Sequence, residues 1–159
     1  MKDWAIILGA SSGFGAAAAR ELAKKGMNVY GIHLDRRSAM EGVETLVSEL
    51  RSKKVEVIFN NMSAIDSNKR VAVIEELKLK DKIRIKVLMH SLAFGALKPM
   101  INSDSKNTLS QKQIEMTIDV MGSSLVYWTQ DLYQAGLLKK GSQIFSMTSS
   151  GGHRQWNTY

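Results

Sequence analysis

The 159-residue chain has no cysteine and a single proline. Without cysteine there is no disulfide, no thiolate nucleophile and no Cys-ligated zinc. No apolar run approaches the roughly 20 residues that a membrane-spanning helix needs. Asp3 sits where a signal peptide would carry only basic charge, and the first apolar core covers only residues 4–8. A cytoplasmic protein is therefore expected. There is no low-complexity tract and no internal repeat. There is also no basic stripe interleaved with aromatics, which argues against nucleic-acid binding. The net charge is +7, but Lys and Arg are scattered among Glu, as in "ELRSKK" and "EELKLKDK". Such a surface attracts anionic partners without specifying one.

What the sequence does contain is a regular alternation. Residues 4–8 form a continuous apolar run, as a central parallel strand requires. Residues 16–25 follow as an Ala-, Leu- and Lys-rich helix, closed by Gly26. "MNVYGIH" predicts a second strand. "SAMEGVETLVSELRSK" predicts a helix, with Met40, Val43, Leu46, Val47 and Leu50 on one face. "VEVIF" is a third strand, residues 69–79 a third helix, and "IRIKVLMHS" a fourth strand. A long loop over 93–108 precedes a long helix over 109–135, ended by Gly136 or Gly141. "SQIFSMTSS" is a fifth strand. Strands separated by crossover helices imply an α/β doubly wound parallel sheet, Rossmann-like, with one domain over 1–159. In such sheets ligands bind beyond the carboxyl ends of the strands.

At the first of those ends stands "GASSGFG". Gly9, Gly13 and Gly15 allow a tight turn and close backbone approach to a pyrophosphate, held at the positive end of the helix that follows. Ser11 and Ser12 add hydroxyl donors, and Phe14 completes the loop. The segment resembles the T-G-x-x-x-G-x-G motif of the short-chain dehydrogenase/reductase family, with Leu8 in place of Thr. The resemblance runs along the whole chain. It implies a nicotinamide cofactor. The family's acidic position at the end of the second strand falls on His33. Asp35, Arg36 and Arg37 follow, and a missing acid beside two guanidinium groups favours NADPH over NADH. Ser12 stands where NADPH users of the family often carry a basic residue, and Asp35 turned inward would argue for NADH. Asn61 and Met62 are the candidates beside the adenine.

"HSLAF" at 90–94 looks like the H-S-I-A/G-F of the enoyl-acyl-carrier-protein reductase branch. It nominates His90, Ser91, Leu92 and Ala93 as cofactor wall. "IDVMGSS" places Met121 where most of the family has a proton-relay Asn, a departure the enoyl branch shares. The family's catalytic Tyr matches Tyr159. Its strand hydroxyl matches Thr148, with Ser149 next and Ser146 as the alternative. A free phenol titrates at roughly pH 10, so it needs a nearby cation to act near neutrality. In the family that cation is a Lys following the Tyr, and no residue follows Tyr159 here. The expectation is that the sequence covers the cofactor-binding part of a longer protein. That protein is expected to reduce an enoyl thioester, with an acyl carrier protein as a candidate carrier, as a homo-oligomer. A carbonyl reductase of the same family and a non-catalytic nucleotide-binding module are the alternatives. Neither a metal nor a membrane is expected.

Overall fold

The structure, a computed structural model, describes residues 1–154. Its strands are β1 (Lys2–Leu8), β2 (Asn28–His33), β3 (Val57–Asn61), β4 (Ile83–His90) and β5 (Leu138–Ser146). The helices are α1 (Gly13–Lys24), α2 (Met40–Arg51), α3 (Ser67–Lys78), α4 (Gln111–Ile118) and α5 (Ser124–Gln134). The strands form one sheet in the order β3-β2-β1-β4-β5, and every neighbouring pair is parallel. This is the Rossmann-like α/β architecture.

Alternation along β1 divides the core into two layers. Ala5 and Ile7 pack with Ala16, Ala19 and Ala23 of α1 and Leu46 and Leu50 of α2. The alanines let α1 lie close to the sheet. Trp4, Ile6 and Leu8 point to the opposite face and pack with Val73, Ile74 and Leu77 of α3 and Trp128 and Leu132 of α5. β1 is apolar throughout its centre because both of its faces are covered.

The long helix expected over 109–135 is two helices. Ser110 and Gln113 form a capping box that starts α4 at Gln111. A π-helical turn, Asp119–Ser123, separates α4 from α5. Gly122 lies within it, and the Ser124 hydroxyl donates to the Val120 carbonyl at 2.8 Å. Gly136, at φ +68°, lies just beyond α5. β5 begins four residues earlier than expected and stops at Ser146, so Met147, Thr148 and Ser149 lie beyond the strand. Its register against β4 shifts between Ile85 and Val87. There the Ser142 hydroxyl donates to the Ile85 carbonyl at 2.6 Å.

Candidate dinucleotide site

The strand ends are extended by backbone hydrogen bonds into the loops that follow them. Gly9 N–H and Ala10 N–H donate to Ile32 O at 2.8 and 3.0 Å. Met62 N–H donates to His33 O at 2.7 Å, Ser91 N–H to Leu8 O at 2.8 Å, and Met147 N–H to His90 O at 2.9 Å. These bonds fix the loops around a cleft of about 680 Å³ at the carboxyl edge of the sheet.

The glycine loop forms one wall. Gly9 has φ +87°, and a Cβ there would lie 2.3 Å from Ser91 O. A Cβ on Gly15 would lie 1.9 Å from Gly9 O. The loop therefore closes on itself and on β4 only with bare backbone. A Cβ on Gly13 would meet nothing within 4 Å. The N-terminus of α1 has no side-chain cap and no acidic residue in its first turn. Its free N–H groups and positive dipole end fit a phosphate group. The residues present thus suit the pyrophosphate of a dinucleotide.

Of the residues singled out from the sequence, Gly9, Ser11, Ser12, Gly13 and Phe14 line the cleft at the first strand end. His33 and Met62 line it at the second and third, and Ser91, Leu92 and Ala93 at the fourth. Thr148 and Ser149 line it beyond β5. The Ser149 hydroxyl accepts from Gly151 N–H at 3.1 Å. Four nominated residues stand elsewhere. Gly15 lies beneath the loop, buried against Gly9. Arg36 and Arg37 are exposed and outside the cleft lining, because the chain turns there into a short 3₁₀ segment, Arg37–Ala39. Asn61 does not line the cleft but grips the backbone of Asp35, which does. Tyr159 lies outside the described residues.

His90 lies behind the wall it was expected to form. Its Nε2 is 3.2 Å from Val120 O and 2.9 Å from Ser124 Oγ. Since Ser124 donates its own proton to Val120 O, it accepts from His90, and the ring proton sits on Nε2. Burial pushes the His90 pKa below the ordinary imidazole value, opposed by the Val120 carbonyl. The side chain ties β4 to the π-helical turn and does not face the cleft as a base. That turn in turn presents Val120 and Met121 to the cleft, where Met116, Met147 and Phe94 add further apolar surface. The sequence pattern gave no sign of this apolar mouth beyond Met121, because it depends on the π-helical turn. Trp128 Nε1–H donates to Ala64 O at 2.9 Å and so anchors the loop after β3, whose Ser63, Ala64 and Ile65 also line the cleft. Tyr30 is committed elsewhere. Its hydroxyl donates to Glu76 Oε2 at 2.6 Å and accepts from Asn60 Nδ2 at 2.7 Å, and burial pushes its pKa up. Among the described residues no His, Cys, Asp and Glu group forms a metal cluster, and no helix is long and apolar enough to cross a membrane.

A family model described as short chain dehydrogenase matches residues 3–159. The chain belongs to the short-chain dehydrogenase family. Within that family, a 7beta-hydroxysteroid dehydrogenase from Clostridium sardiniense is 37% identical over 69 residues, which is 43% of this chain and 26% of that protein. Solved short-chain dehydrogenase structures share the fold at lower identity. An actinorhodin polyketide ketoreductase with NADPH superposes with TM-score 0.78 at 21% identity, covering 99% of this chain and 57% of that one. A 3-oxoacyl-[acyl-carrier protein] reductase from Brucella melitensis in complex with NAD gives 0.76 at 20% identity, covering 99% and 60%. A short-chain dehydrogenase/reductase from Serratia marcescens gives 0.78 at 16% identity, covering 96% and 58%. The chain thus spans about a quarter of the curated relative and somewhat over half of these solved ones.

Proposed function

We propose that the protein is a reductase that draws hydride from a reduced nicotinamide dinucleotide and delivers it to the C=C bond of an enoyl thioester. The observation that carries the dinucleotide reading is the uncapped α1 terminus above a glycine loop closed by bare backbone. That wall shares one cleft with Ser91, Leu92, Ala93 and the hydroxyl pair Thr148 and Ser149.

When bound, the dinucleotide supplies a hydride equivalent. The chain's own part is to bind, orient and polarise. The N–H groups of Gly13 and Phe14 and the hydroxyls of Ser11 and Ser12 would hold the phosphates. The backbone at 91–93, which lines the cleft, would border the nicotinamide ribose. Tyr159, by family position, hydrogen-bonds the thioester oxygen, with Thr148 or Ser149 beside it. With hydride from the coenzyme at the β-carbon, the C=C electron pair would move toward the thioester oxygen, where Tyr159 would steady it, and a proton from water would end on the α-carbon. The enoyl assignment is supported by "HSLAF" at the cleft wall. It is further supported by Met121, an apolar side chain where a carbonyl reductase would relay protons through Asn. The apolar mouth formed by Met116, Val120, Met121 and Met147 suits an acyl chain. The charge of +7 suits an acidic acyl carrier protein as the donor of that chain, and the family's habit is a homo-oligomer. NADPH, expected from Arg36 and Arg37, would require those side chains to swing in from the exposed face of the connection after β2.

A second reading has its own support. The relatives named above include a ketoreductase and a 3-oxoacyl reductase. On that reading Tyr159 protonates an alkoxide. Assay of the protein at its full natural length with crotonyl and 3-oxoacyl thioesters separates the two. Turnover of the crotonyl substrate is expected, and turnover of the ketone alone selects the carbonyl reductase.

A further inference from the structure

A second cavity, of about 390 Å³, opens at the amino ends of the strands, at the far end of the sheet from the cleft. It is walled by Lys2 and Trp4 of β1, by Glu56 just before β3, and by Lys80, Asp81 and Lys82 in the turn between α3 and β4. Lys2 N–H donates to Lys82 O at 2.8 Å and pins that turn to β1. The charges of the cavity are unevenly matched. Glu56 is shared between two lysines: its Oε1 accepts from Lys2 Nζ at 2.6 Å and its Oε2 from Lys80 Nζ at 3.1 Å. Asp81, exposed at the rim, is the second acid. Lys82, also exposed, has no ion pair among the described residues. Three lysine ammonium groups against two carboxylates leave one positive charge in excess.

The same cavity holds a donor without an acceptor. Trp4 is wholly buried where it lines the wall, and its Nε1–H has no hydrogen-bonding partner among the described residues. Buried indole N–H groups ordinarily find one, as Trp128 does in the Ala64 carbonyl. Lys80 covers the Trp4 ring, with its ammonium 4.9 Å from the ring centroid in a cation–π contact. That lysine side chain is one-quarter exposed, so it lifts into water without disturbing the core. The indole N–H calls for an acceptor and the excess charge calls for an anion. A carboxylate supplies both, with acceptor oxygens and a single negative charge. A phosphate dianion would overshoot the charge. Ile83, beside the indole, gives the hydrocarbon body of such a molecule an apolar wall.

We propose that this cavity is a second ligand site, for a small monocarboxylate: the carboxylate accepts from Trp4 Nε1–H and pairs with Lys82, and Lys80 is the cover that lifts to admit it. Glu56 holds Lys2 and Lys80 in place and leaves Lys82 as the cation that meets the ligand. The two cavities share no residue, so the inference does not rest on the reading of the cleft as a dinucleotide site.

The test is a proton–nitrogen correlation NMR titration of the full-length protein with sodium butyrate at constant ionic strength. The signal followed is the Trp4 indole N–H, assigned by its loss in Trp4→Phe. A saturating shift with a dissociation constant below about 10 mM is expected, while the Trp128 indole, already bonded, keeps its position. Lys82→Gln, at an exposed position, is expected to weaken butyrate binding by about threefold or more, and Lys82→Arg to retain it. Butyramide, which has the same shape without the charge, is expected to bind more weakly by at least about threefold. Should Trp4→Phe fail to fold, the indole is assigned through its own backbone connectivity and the Lys82 variants decide the matter. A Trp4 signal that does not saturate with butyrate overturns the inference, as does an affinity unchanged in Lys82→Gln. Inorganic phosphate that moves the Trp4 signal at equal or lower concentration overturns the choice of a monocarboxylate.

Discussion

β2 and β5 each carry an isoleucine and an aromatic residue and both end at the cleft, yet these side chains stand in opposite environments. Every residue of β2 from Asn28 to His33 is buried. On β5, Ile144 is 45% exposed and Phe145 47% exposed. The difference is one of neighbours. β2 pairs with β1 and β3, whereas β5 pairs with β4 alone among the described strands. Burial in a parallel sheet is conferred by the flanking strands and the helices on each face, and composition only permits it. For function the contrast separates two tasks. The coenzyme corner hangs on closed, two-sided strands and is held by hydrogen bonds between loops. The hydroxyls Thr148 and Ser149 follow a strand that is paired on one side only among the described strands.

The largest effect should come from comparing one apolar truncation in each strand. Ile32→Ala removes a fully buried side chain from β2 and is expected to cost about 2–5 kcal/mol of unfolding free energy. Ile144→Ala in this chain is expected to change stability by less than about 1 kcal/mol. Denaturant unfolding of both variants measures the pair. Similar costs would mean that β5 is as well packed as β2, and the contrast would fall.

Next in size is a variant of the glycine loop. Gly15→Ala places a methyl group where Gly9 O already stands, 1.9 Å away. The backbone must shift, at a cost of about 1–3 kcal/mol. Because Gly9 moves with it, the phosphate-facing N–H groups lose their alignment, and dinucleotide affinity should fall by about tenfold or more. Thermal unfolding and coenzyme fluorescence read the two effects. A variant with native stability and native affinity would show that the loop is looser than its contacts imply.

A third prediction concerns the strand that joins the two regions. His90 closes β4, and burial holds its pKa down. The unfolded chain therefore takes up a proton before the native one does. Stability is complete above the ordinary value of 6.5 and declines as pH falls below it, until the native imidazole is also protonated. His90→Gln should flatten that decline, measured as unfolding free energy between pH 8 and pH 5 in urea. An unchanged slope would assign the decline to other groups.

These cases also show what could be read without the fold. The strand–loop–helix unit around Gly9 and the alternation of strands and helices follow from local pattern, since apolar run length and glycine placement act within a few residues. The cleft residues at the first strand end were legible for the same reason, whereas those at the fourth came from the resemblance of "HSLAF" to a family pattern. What escaped depends on distant partners. The inward turn of Asp35 is set by Asn61, 26 residues away in sequence. The π-helical turn is stitched by His90, which reaches 34 residues ahead to Ser124. The direction of Arg36 and Arg37 follows from the same inward turn. No periodicity within a single segment encodes any of these.

The smallest effect sits at the opposite edge of the sheet and probes the β1–β4 pair directly. Arg84 Nε and Nη2 donate to Asp3 Oδ1 and Oδ2 at 2.6 and 3.0 Å, a two-pronged bridge between these strands. The hydrogen bonds from Arg84 hold the Asp3 carboxyl below the ordinary carboxylate range, with burial opposing. Its stabilisation is therefore present above the unfolded carboxyl pKa and is lost as pH falls through the lower native one. Both side chains are about one-third exposed, so the pair contributes about 0.5–1 kcal/mol. Asp3→Asn should lower stability by that amount at pH 7, and the difference from wild type should vanish in strong acid, where Asp3 is protonated in both states. A loss of several kcal/mol would place this exposed bridge on a par with the buried contacts of β2, and would show that the sheet is held at its amino edge as firmly as at its centre.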